Sequence, residues 1–113
     1  MTARWHIEQG PGVLTLARHM PARFDLAAET ELPAGHPVRL AHQIRQDLWR
    51  ALQRLRGFSP VVRLSEITTG WHVRAGGRVL GPIPPAAPDQ VAAVLNDPKN
   101  RARWMSFANR RTR

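Results

Sequence analysis

An apolar stripe held between a proline and a glycine constrains this chain more than any other feature. Leu40, Ile44, Leu48, Leu52 and Leu55 recur at spacings of three and four, with Ala41 and Ala51 beside them. That spacing is the period of one helix face. Pro37 suits the first helical position, where its missing N–H costs nothing. Gly57 suits the residue just past the end, and Arg54 and Arg56 sit in the last turn, where cations favour the helix dipole. The pattern predicts a helix over 37–56 whose stripe must be covered by another layer.

The rest of the chain supplies that layer as strands. Val13 to Ala17 is a short apolar run after Gly10-Pro11-Gly12. Residues 22–32 alternate Phe24, Leu26 and Ala28 with Asp25, Ala27 and Glu29, which reads as a half-exposed strand paired with the first. Residues 61–68 and 71–80 read as an antiparallel hairpin about Thr69-Gly70, with a second turn or bulge at Gly76-Gly77. Gly81 to Pro88 holds four prolines and reads as an extended crossing. A short helix follows from Pro88, and Asn96-Asp97-Pro98 ends it. The order is β-β-α-β-β-α. The fold class is α+β: a small single domain, a mostly antiparallel sheet with the long helix on one face, and a basic C-terminal tail. The domain spans 1–98. The tail spans 99–113, carries one or two helical turns at 101–109 and frays at its end. Phe24 and Leu55 are expected in the core with the stripe and the strand residues.

Composition narrows the function classes. The 113 residues include no cysteine, which removes disulfides, thiolate metal sites and thiol nucleophiles together. No run approaches the ~18 apolar residues of a membrane span, and the first ten residues carry Glu8 and no apolar leader segment. A cytoplasmic location is expected. The five histidines have no helical i, i+4 pairing and no H-E-x-x-H, so neither a metal nor another cofactor is expected. There is no Gly-x-Ser-x-Gly elbow and no phosphate-cradling loop with its Lys, so an enzyme is not expected.

The charge is +9, with sixteen Arg and one Lys against eight acids. That ratio of Arg to Lys reflects genome composition more than function, but the excess and its placement carry information. Residues 1–36 hold three Arg against four acids; residues 37–80 hold eight Arg against two; residues 81–113 hold six cations against two. The positive field belongs to the last two thirds of the chain.

These observations predict a small non-enzymatic binding protein with an anionic partner, nucleic acid first. Lys99, Arg101, Arg103, Arg110 and Arg111 are the expected phosphate contacts, and Trp104 the stacking ring. The strand Trp71-His72-Val73-Arg74 offers Trp71 and Arg74 as a second platform. The competing reading is that Trp104 and Phe107 pack the tail onto the core. The alternative function is a protein–protein adaptor. At 100° per residue, Trp49 falls about 120° from the centre of the helix stripe, at the border with the basic face. Arg45, Trp49 and Arg56 form the expected partner anchor, since Trp and Arg dominate binding hot spots. The acidic strand at 25–31 and the basic helix face also suit self-association.

Overall fold

The computed structural model describes residues 4–110. Five strands and three helices follow one another as β1 (His6–Gly10), β2 (Val13–Ala17), β3 (Leu26–Pro33), α1 (Pro37–Leu52), β4 (Ser59–Ile67), β5 (Gly70–Arg78), α2 (Ala87–Asn96) and α3 (Pro98–Ala108). The α+β class stands. The strands form one antiparallel sheet in the order β1-β2-β4-β5-β3.

Alternation sets which residues face the helices. Leu14 and Leu16 of β2 lie opposite Leu64 and Val62 of β4, and these lie opposite Val73 and Ala75 of β5. All six are buried, against the stripe Leu40, Ile44, Leu48 and Leu52 of α1 and against Val91 and Leu95 of α2. α1 covers β4 and β2, α2 covers β3 and β5, and α3 packs on both helices.

Four sequence expectations need correction. First, residues 26–33 do not pair with β2. They run beside β5 at the far edge, Leu26 opposite Gly77 through Pro33 opposite Gly70. The hairpin partner of β2 is β1, joined to it by the two residues Pro11-Gly12. The connection from Arg18 to Asp25 is too long for such a tight turn. It crosses the helix-free face instead, where the Phe24 ring lies under Arg74 (4.7 Å) and Arg63 (5.4 Å). Phe24 is therefore a half-buried cover and not core. β1 is exposed along its whole length and has no apolar pattern to betray it.

Second, α1 ends at Leu52, a turn early. The chain turns through Leu55 and Gly57 so that Phe58 can enter the core. Gly57 has φ +67, and a Cβ there would lie 2.5 Å from Leu80 Cγ, so glycine is required. Leu55 is only partly buried.

Third, Gly76-Gly77 is no turn, because β5 continues through it. A Cβ on Gly76 would lie 2.0 Å from Leu26 O, so the glycine lets β3 approach.

Fourth, residues 98–108 are a docked helix. The Asp97-Pro98 pair that stops α2 also starts α3: the Asp97 carboxylate accepts from the backbone N–H of Lys99 (2.8 Å) and Asn100 (3.3 Å). Trp104 is fully buried. Its Nε1 donates to Asp47 Oδ2 at 2.6 Å, and Arg103 donates to the same oxygen at 2.9 Å. Asp47 is only 8% exposed. No helix among the described residues is long and apolar enough to cross a membrane.

Candidate ligand-binding cleft

A hollow on the surface of the fold lies where four separate segments meet. It has a volume of about 540 Å³. The residue before β1 contributes Trp5, and the exit of β2 contributes Arg18 and His19. The outer border of α1 contributes Arg45 and Trp49, and the entry to β4 contributes Gly57 to Pro60. A second hollow of about 260 Å³ shares His19, Gly57 and Ser59 with it and adds Arg78 and Leu80. Among the described residues three arginines, one histidine and two indoles line the joined cleft, and no carboxylate does.

Helix geometry sets the inner wall. Arg45 and Trp49 are one turn apart, so they project from the same side of α1. The Arg45 guanidinium lies over the Trp5 ring, 4.6 Å from its centroid. Its Nε donates to His42 Nδ1 at 3.3 Å. Burial, and then the charge of Arg45, hold His42 below the ordinary imidazole range. Burial also lowers the pKa of Arg45. Trp49 remains 45% exposed, which is high for so large an apolar ring. The Pro-rich crossing contributes no residue to the lining of either hollow. Leu80, just before it, is 76% exposed, and Ile83 within it is 38% exposed.

Of the expected partner anchor, Arg45 and Trp49 thus meet in one site. Arg56 lies outside the lining. Its carbonyl accepts from the N–H of Leu80 at 3.0 Å.

The expected nucleic-acid residues are dispersed. Trp104 is sealed in the core, so base stacking by that ring does not fit this packing. Arg101 is a clasp: it donates to Thr30 Oγ1 and to the carbonyls of Leu95 and Glu31, tying α3 to β3. Arg103 is engaged with Asp47, Gln43 and Asn100. Lys99 is exposed at the start of α3, and Arg110 lies over the Phe107 ring at 5.0 Å. Arg111 is outside the described residues. Trp71 is half-buried and donates from Nε1 to Gly35 O at 3.0 Å. Arg74 stands on the helix-free face over Phe24, away from Trp71.

Sequence reasoning did not find Trp5, Arg18, His19 or His42 as site residues. Only the helical period carries a signal for this place, and it points to Arg45 and Trp49 alone. Among the described residues no three His, Asp or Glu side chains are grouped to hold a metal ion. No family model, no curated protein and no solved structure matches this chain.

Proposed function

We propose that this chain is a non-enzymatic binding module that takes single-stranded nucleic acid in the cationic cleft. One observation supports this reading above the others: exposed Trp49 and half-buried Arg45 stand side by side in a concave site lined, among the described residues, by two indoles and three guanidiniums and by no carboxylate. An exposed indole is a stacking surface for an unpaired base, worth about 1–3 kcal/mol per base. Clustered cations neutralise the phosphates on either side. A base inside a duplex hides its face, so the unpaired strand is the better fit.

The interface therefore moves from the C-terminal segment to a site shared by α1 and the N-terminal third. The test is fluorescence anisotropy of labelled single-stranded and double-stranded oligonucleotides at two salt concentrations. The reading expects tighter binding of the single strand and a loss of about tenfold in Trp49→Ala, within the range for one stacked base. Equal binding of both forms, or no change in Trp49→Ala, overturns it.

The second reading is the protein adaptor. The exposure of Leu80, which lines the adjoining hollow, favours it, because an apolar side chain beside the cleft suits a protein partner. An aromatic hot spot gives affinity that falls little with salt, whereas phosphate contacts give a steep fall.

A further inference from the structure

Arg45 has a distinctive set of neighbours. Its plane is supported from one side by Trp5, and its Nε is occupied by His42 Nδ1. Donation into Nδ1 requires a neutral ring with its proton on Nε2. Among the described residues no carboxylate comes within 4.0 Å of Arg45. Its Nη1 and Nη2 have no hydrogen-bond partner there, and the residue lines the cleft. A half-buried cation without a counter-charge is costly to hold, and an anion in the cleft removes that cost. Two fixed Nη donors match two oxygens of one phosphate group.

We propose that Arg45 is a preset phosphate anchor, its Nη edge taking two oxygens of a phosphate group in the cleft, and that His42 is its positioning residue, holding that edge in place through Nε. The proposal rests on the cleft being the binding site. The phosphate belongs to a nucleic-acid backbone or to a free phosphate compound, and the experiment separates the two.

The full chain labelled with 15N shows the arginine Nε–Hε resonances, with Arg45 assigned from Arg45→Lys. Pyrophosphate and a twelve-nucleotide single strand are titrated separately. Both should shift the Arg45 resonance saturably, while exposed Arg54 serves as the non-specific control. Arg45→Lys keeps the charge but loses the fork. It should weaken oligonucleotide binding about tenfold, the lower range for a hydrogen-bonded charge, and leave a methylphosphonate analogue unaffected. His42→Leu should weaken the phosphate-dependent part. His42→Asn, whose Oδ1 replaces Nδ1, should restore most of it, which a merely structural role does not explain.

If both probes move Arg45 no more than Arg54, the anchor is wrong. If His42→Leu and His42→Asn behave alike, the positioning role is wrong. Movement with pyrophosphate but not with the oligonucleotide keeps the anchor and defeats the nucleic-acid reading. Oligonucleotide binding that depends on Trp49 but not on Arg45 does the reverse.

Discussion

The indole Nε1 of Trp104 donates to Oδ2 of Asp47 at 2.6 Å, joining the last helix to the first at a place closed to water. Asp47 also accepts from Arg103 at 2.9 Å and lies 3.5 Å from Arg50, so a buried carboxylate is matched by an N–H and two cations. Removing it strands the indole donor. Asp47→Ala should destabilise the protein by about 1–3 kcal/mol, and Trp104→Ala by about 3–5 kcal/mol. Chemical denaturation measures both. A loss under about 0.5 kcal/mol in either variant is incompatible with the docked helix.

Truncation after residue 97 follows from the same contact. The shortened chain loses Trp104 and Ala108 from the core and the Arg101 clasp on β3. Its melting temperature should fall steeply, or the chain should not fold at all. An unchanged thermal midpoint, read by circular dichroism, returns residues 98–108 to the status of an appendage.

Leu48 sits fully buried in the middle of the α1 stripe. Leu48→Ala should cost about 2–5 kcal/mol, the transfer term plus the cavity left behind. A loss below about 1 kcal/mol on urea denaturation contradicts the packing of α1 on β4.

Trp49 offers the opposite expectation. It is 45% exposed and makes no polar contact among the described residues, so Trp49→Ala should leave stability within about 0.5 kcal/mol while weakening ligand binding. A variant that melts early shows that the ring is a structural cover and removes the cleft's stacking surface from consideration.

His42 makes stability depend on pH with a definite sign. Its folded pKa lies below the ordinary value of about 6.5, chiefly through burial, so the unfolded chain takes up the proton first. The contribution is fully present above about pH 6.5 and is lost as pH falls through the folded value. The thermal midpoint of the wild type should therefore drop between about pH 7 and pH 5 more than that of His42→Asn. Parallel curves for the two proteins show that His42 does not titrate differently on folding.

What was legible in the sequence was local. The stripe from Leu40 to Leu52 and the alternation in β4 and β5 are periods of one element, and they survive in the structure. Strand pairing is a choice between distant segments, and residues 22–32, read as the partner of Val13 to Ala17, give a strand that pairs with β5 instead. Trp104, set among arginines, has the composition of a binding tail. Its burial is decided by a carboxylate 57 positions earlier, which no window on the sequence contains. Asp97-Pro98 was visible as a stop, while its second use as a start depends on the side chain turning to the next two N–H groups. The cleft was half legible. Arg45 and Trp49 share a helix side, but Trp5, Arg18 and His19 reach them only through the β1–β2 hairpin and its place in the sheet.

The strand order carries a consequence for synthesis on the ribosome. The β4–β5 hairpin occupies the middle of the sheet, and the three strands made before it flank it on both sides, β1-β2 on one and β3 on the other. A nascent chain that has emerged only as far as Gly57 holds the hairpin of β1 and β2, an orphan strand and a helix with its stripe bare, and none of these has the surface it will rest on. Residues 59–78 are the template against which everything earlier is ordered, so the first half of the chain must wait, apolar side chains uncovered, for the second.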